Sequence, residues 1–184
     1  SLGAALIAQN SLLPVFVLTA LMTLLAFAGA RLKTQNGRIL VAAGLIGQCI
    51  CITGALAGHP WQLDSHMLFF AALAVCMVMS EPLIIIIATG IIAAHHLALS
   101  IALPALVYPS TDLMVNLERV ALHAVIVVTE AAVLWLSLRQ RNRAYQESTG
   151  KSLELEASAT LRCDPMATLC AEPPFAATAR KSRR

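Results

Sequence analysis

The stretch "PLIIIIATGIIAAHHLALSIAL", residues 82–103, runs for twenty-two positions without a charged side chain. A helix needs about 20 predominantly apolar residues to cross the hydrocarbon core of a bilayer. The run lacks the period-two alternation of a strand, and a segment in lipid must pair its backbone polar groups internally. Its reading is a transmembrane helix, interrupted by two adjacent imidazoles, His95 and His96.

Similar blocks flank it. Upstream lie residues 12–30 ("LLPVFVLTALMTLLAFAGA"), 39–57 ("ILVAAGLIGQCICITGALA") and 63–80, where the short run "HMLFFAALAVCMVMS" borrows from the preceding "WQLDS". Downstream, residues 117–138 contain "RVALHAVIVVTEAAVLWLSL". The chain is 58% hydrophobic and only 12% charged, with a mean hydropathy of +0.75, values that a soluble domain with a wet surface does not reach. The expected fold is all-α, a polytopic membrane helix bundle of about five transmembrane helices over residues 1–138. A juxtamembrane helix over 139–158 and a disordered or aberrant tail over 159–184 would follow, since Pro165, Pro173 and Pro174 oppose a long helix there.

Charge sets the orientation. Arg31, Lys33 and Arg38 fill the first loop, Arg139, Arg141 and Arg143 follow the fifth helix, and six further cations lie beyond them. Only Arg119 is elsewhere. The positive-inside rule puts the first loop and the C-terminus in the cytoplasm, and five spans then put the N-terminus outside. The net charge of +3 is thus a topology signal, and no nucleic-acid partner is implied. The opening "SLGAALIAQN" has no charged n-region with a small-residue cleavage site, so the first helix is not read as a removed signal peptide.

The cysteines give little. Cys49 and Cys51 stand about 200° apart on one helix, Cys76 is in another, and Cys163 and Cys170 are in the tail, so neither a disulfide framework nor a shared ligand set follows.

All five histidines, by contrast, lie between residues 59 and 123. In the five-helix topology His59 and His66 stand at the outer end of the third helix. His95 and His96 lie roughly 12 Å below the outer end of the fourth, and His123 about a turn inside the fifth. Arg119, His123 and Glu130 form a column on one face that cannot face lipid cheaply. Imidazole is the commonest transition-metal ligand and the usual axial ligand of haem, so His66, one of His95 or His96, and His123 are candidate ligands of haem b or of a transition metal, iron or copper. Adjacent residues on a helix point about 100° apart, so His95 and His96 cannot both serve one small ligand. His59, Asp64 and Glu130 could ligate a metal or orient a histidine. Trp61, Gln62, Met67 and Arg119 lie beside these positions, and the Met67 thioether keeps copper in view.

Plainer readings apply to several of these residues. Asp64 can cap the third helix, Trp61 and Tyr108 can anchor at the membrane interface, Phe69 and Phe70 can pack, and Glu81 with Pro82 can form a turn and helix start. No activated nucleophile, phosphate loop or catalytic carboxylate pair is visible, so an enzyme is not expected.

The strings "GHPWQLDSHMLFFAALA", "AAHHLALSIALPALVYP" and "ERVALHAVIVVTEAAVLWL" occur in this order, and together they resemble the N-terminal membrane module of a group of bacterial methyl-accepting chemotaxis proteins. The resemblance covers about residues 38–138 and matches at His59, Trp61, Gln62, Asp64, His66, Met67, His95, His96, Arg119, His123 and Glu130. It departs at Leu68, where an aromatic would be expected, at Ser100 in place of an asparagine, and at "SEP", 80–82, in place of a more polar turn. It implies a sensory module of the bacterial inner membrane, a homodimer, signalling through the last helix, and a chemotaxis kinase or adaptor as partner wherever a cytoplasmic output domain is present. Such receptors continue into a long cytoplasmic helical hairpin. The tail here, with "LRCDPMATLCAEPPF", leads us to expect an input module truncated before its output. The competing classes are a membrane haem or metal redox protein and a small proton- or ion-coupled transporter, although no inverted repeat is visible for the latter.

Overall fold

The computed structural model of the chain describes residues 1–108 and 112–170, with side chains to residue 160. Among the described residues there are helices and no strand. A short helix α1 (Leu2–Ile7) precedes α2 (Leu12–Arg31) and α3 (Gln35–Ala55); α4 (Trp61–Ser65) and α5 (Met67–Cys76) follow, then α6 (Pro82–Ala102) and α7 (Leu113–Cys170). Five helical segments are long and apolar enough to cross a membrane, α4 and α5 counting together with the 3₁₀ turn Met77–Met79 as one. The chain is a membrane protein with an all-helical bundle, as expected.

The first four expected spans agree with these helices to within about four residues, α7 begins four residues before the expected 117 and runs on past 138, and the differences at the helix starts have local causes. Thr34 Oγ1 accepts from Gly37 N at 3.2 Å, so its N-cap starts α3 four residues before the expected 39. Residues 63–80 carry a joint at His66, where His66 N bonds Leu63 O and Phe69 N bonds His66 O, both at 3.1 Å. These three-residue spacings tighten the helix there. Ser80 then takes a left-handed conformation (φ 58°), and Pro82 opens α6 behind Glu81.

The α2–α3 hairpin is held by close backbone approach. A Cβ on Gly44 would stand 2.7 Å from Ala26 Cβ and 2.8 Å from Met22 O, and one on Gly29 would stand 2.6 Å from Gly37 O. Small residues let membrane helices come together where lipid supplies no hydrophobic drive between them. The core continues through Ala42, Ile46, Phe69, Leu73, Ile84, Ile85, Ala88 and Ile92 to Val127 and Leu138 of α7. Phe16, Leu24, Ile101, Leu122 and Val125 are more than half exposed, an apolar surface that lipid accommodates and water would not.

The chain divides into a unit of residues 1–140 and a second of 141–184. Within the second, α7 continues through the polar "RNRAYQESTGKSLELEASAT" as far as Cys170. The expected loss of helix from 159 is therefore displaced: "LELEASATL" is rich in good helix formers, and Pro165 does not end the helix. Residues 171–184, including Pro173 and Pro174, lie outside the described residues.

Candidate functional site

Three imidazoles from three different helical segments meet in the bundle. His66 sits at the α4–α5 joint, His96 in α6 and His123 in α7. Each turns its Nδ1 onto the carbonyl one turn earlier in its own helix: His66 to Gln62 O at 2.9 Å, His96 to Ile92 O at 2.9 Å, His123 to Arg119 O at 2.8 Å. A carbonyl oxygen only accepts, so each Nδ1 must carry the hydrogen, and the neutral ring keeps a lone pair on Nε2. The ring centres form a near-equilateral triangle with edges of 5.5 Å (His66–His96), 6.0 Å (His66–His123) and 6.0 Å (His96–His123).

The triangle is walled by aromatics. Phe69, 2% exposed, contacts the rings of His66 and His96 at 6.0 and 5.2 Å. Tyr108 stacks on His66 at 6.1 Å with 13° between the planes and meets His123 edge-on at 6.2 Å. The expected role of Tyr108 as an interface anchor is thus corrected, because the side chain is 1% exposed and forms a wall of the site. Its phenol is pushed above the usual tyrosine range by burial. The signal missed in the sequence is its place just after Pro104: the 3₁₀ turn Pro104–Leu106 and the bond of Tyr108 N to Pro104 O, 2.7 Å, fold it back over the helices.

Gln62 holds the site from beneath. It is 1% exposed, its Nε2 donates to Ala105 O at 3.0 Å, its Oε1 accepts from Gly58 N at 3.2 Å, and its carbonyl anchors both Ser65 Oγ and His66. In α6, Ser100 Oγ donates to His96 O.

The other expected residues are not brought into the triangle. His95, 100° further around α6, contacts Phe69 at 5.7 Å and His96 at 5.1 Å, and it lines a separate cavity of about 390 Å³ with Asn10, Ile50, Cys51 and Leu106. Of the two adjacent histidines, His96 is the one whose ring meets those of His66 and His123. His59 stays in the loop before α4, where its Nδ1 accepts from Trp61 N at 3.2 Å and its ring meets the Trp61 indole at 5.3 Å. Asp64 is exposed, as are Met67 (64%) and Trp61 (56%), all on the outward face of the short helices that carry His66 inward. Glu130 has a buried Oε2 with no hydrogen-bond partner, but seven residues of helical rise put it about 10 Å from His123 along α7, too far to share a ligand. Arg119 contributes its carbonyl to His123.

What the triangle can do follows from its donors. Metal-bound histidines characteristically donate their other ring N–H to a carbonyl or carboxylate, and all three rings do so. With metal–nitrogen bonds of about 2.0–2.1 Å, three imidazoles around one ion have ring centres on the order of 5 Å apart. The observed edges of 5.5, 6.0 and 6.0 Å are wider than a closed tetrahedral set would have, and among the described residues no group of three His, Cys, Asp or Glu is placed to hold a metal ion. His66 Nε2 is buried without a hydrogen-bond partner, a cost that a bound ligand would offset. Beside the triangle, between α6 and α7, lies a cavity of about 200 Å³ lined by His96 and His123 among apolar side chains. That is below the roughly 300–1,000 Å³ of sites for larger organic ligands.

Compared with protein-family models, curated proteins and solved structures, the chain matches none. The chemotaxis-receptor resemblance therefore rests on the three sequence strings alone.

Proposed function

We propose that the chain is a membrane-embedded sensory input module that holds a transition metal, iron or copper, through His66, His96 and His123. The observation that carries this reading is the triangle of three imidazoles, each with Nδ1 bonded to its own helix backbone and Nε2 left as a donor.

The sensory part of the reading is supported by α7, which carries His123 through the apolar segment and continues as one helix into "RQRNRAYQ". A change in the metal's charge or ligation that moves His123 would shift or rotate that helix. In this reading the basic first loop and the polar part of α7 are cytoplasmic and the N-terminus is outside. The receptor resemblance further supports a bacterial inner-membrane homodimer whose kinase or adaptor partner is reached through a cytoplasmic output domain.

Elemental analysis of the detergent-purified chain after loading with Fe(II) or Cu(I) tests the metal site. One ion per chain is expected, lost in His66→Ala, His96→Ala and His123→Ala and retained in His95→Ala, whose ring lines the other cavity. Equal metal content in all four variants would remove the site.

A further inference from the structure

The cavity that His95 lines, about 390 Å³, is walled by Val15 and Leu18 of α2, Ile50 and Gly54 of α3 and Leu99 of α6. That volume falls within the roughly 300–1,000 Å³ of sites for small organic molecules. No Lys, Arg, Asp or Glu side chain lines it, so a charged ligand would lose its hydration there without a counter-ion. A Cβ on Gly54 would meet nothing within 4 Å, so α3 brings no side chain into the space at that position. The mouth is held in shape by Asn10, whose Nδ2 donates to Ala55 O and Ala57 O, both at 3.0 Å, and so ties the segment before α2 to the end of α3.

His66, His96 and His123 each spend Nδ1 on a carbonyl of their own helix. His95 differs. Its Nε2 is buried with no hydrogen-bond partner, and among the described residues no hydrogen bond anchors its ring. An unanchored imidazole can turn about its Cβ–Cγ bond, which exchanges nitrogen for carbon along each edge and lets a nitrogen face the cavity. A buried polar atom left unpaired is costly, and a ligand with one polar group would offset that cost. A neutral imidazole has one donor and one acceptor nitrogen, and a hydroxyl answers either, because it both donates and accepts.

We propose that this cavity binds an uncharged, lipid-soluble molecule with a single hydroxyl, of the alkylphenol or long-chain alcohol class. Its hydroxyl bonds His95, and its apolar body lies against Val15, Leu18, Ile50 and Leu99. Leu18 is 50% exposed, which gives the wall a lipid-facing side through which such a molecule enters. The site stands independently of the metal reading of His66, His96 and His123.

The test is photolabelling of the full chain in phosphatidylcholine vesicles with a diazirine-bearing alkylphenol, competed by para-hexylphenol and by hexylbenzene, which has the same apolar body without the hydroxyl. Saturable labelling of the cavity wall, at Val15 or Ile50, is expected in the wild type. In His95→Phe, which keeps a ring in place, the preference for the phenol over the hydrocarbon should fall about threefold or more, the ratio cancelling any difference in membrane partition. Gly54→Leu fills the cavity from α3 and should remove the saturable label, and it repeats the test in case the first variant does not fold. A hydroxylated lipid extracted from the wild type and absent from Gly54→Leu would identify a resident ligand, whereas saturable phenol binding without one would identify a ligand taken up from outside; both support the site. Labelling that does not saturate, a phenol preference unchanged in His95→Phe, or a label unchanged in Gly54→Leu overturns the proposal.

Discussion

Along α2 and α3 the backbones approach so closely that a methyl group added at Gly44 would stand 2.7 Å from Ala26 Cβ, whereas along α6 and α7 there is room for cavities of about 200 and 280 Å³. One seam is made by removing side chains. The other is made of side chains that do not meet, with His96 and His123 at its edge. A seam locked by backbone contact has one arrangement, because any shift collides with main-chain atoms. A seam with empty volume can take a second arrangement at smaller cost, and in the sensory reading proposed above it is where a helix would move. The tight hairpin and the loosely packed helix pair thus divide the bundle into a frame and a less constrained part.

The sharpest way to break this contrast is to put side chains into the frame. Gly29→Val and Gly44→Val each force at least two carbons into space already held by backbone or a neighbouring Cβ, and overpacking of that kind costs about 1–3 kcal/mol per site. The double variant is expected to lose the α2–α3 hairpin, read as a large drop in the thermal midpoint in detergent and new protease cleavage near Thr34. Gly90→Val, on α6, is the control: a Cβ there has nothing within 4 Å, so little change is expected beyond the helix-propensity effect. A double variant as stable as the control would show that the hairpin is not the frame.

How much of this was legible in the sequence depends on what each feature is made of. The spans were, because the length of an apolar run is a one-dimensional property matched to bilayer thickness. The meeting of the His66, His96 and His123 rings was legible from depth and topology, since membrane helices bring residues at equal depth into proximity. The choice of His96 over His95 was not, because it depends on the rotation of α6 about its axis, which its apolar surroundings on all sides do not encode. Asp64 and Glu130 entered the expected ligand set because carboxylates in lipid attract attention, but one faces outward and the other is two turns away. Tyr108 was misassigned because the turn at Pro104–Leu106, which reverses the chain over the site, leaves no periodic signal. The glycines of α2 and α3 were passed over because they follow no strict four-residue repeat: Gly29 meets Gly37 across the hairpin, and Gly44 meets Ala26.

A middle-sized effect is expected at Gln62, which ties α4 to the turn after α6 and anchors His66. Gln62→Ala leaves Gly58 N and Ala105 O without the side-chain partner, worth about 1–2 kcal/mol when water can partly reach them. The backbone carbonyl that accepts from His66 remains. Metal stoichiometry should therefore survive while affinity falls a fewfold and Tyr108 loses its fixed position over the ring, visible as a change in tyrosine near-ultraviolet dichroism. A full loss of metal would mean that the site depends on the α4 knot more than on the three anchoring carbonyls.

The smallest effect belongs to the ion pair at the opposite end of the bundle. Arg38 of α3 and Glu81, which precedes α6, meet at 3.2 Å, joining the frame to the helix that carries His96. Their side chains are 42% and 29% exposed, so water and salt screen most of the attraction, and exposed pairs of this kind contribute about 0.2–1 kcal/mol. Arg38→Ala and Glu81→Gln should each lower stability within that range, and a double-mutant cycle should give a coupling that shrinks as salt rises. The pair matters to the contrast between seams because it fixes α6, not α7, to the frame. Removing it should leave the thermal midpoint only slightly lower and the packing of His66, His96 and His123 at the other end of the bundle unchanged, read as unchanged histidine chemical shifts.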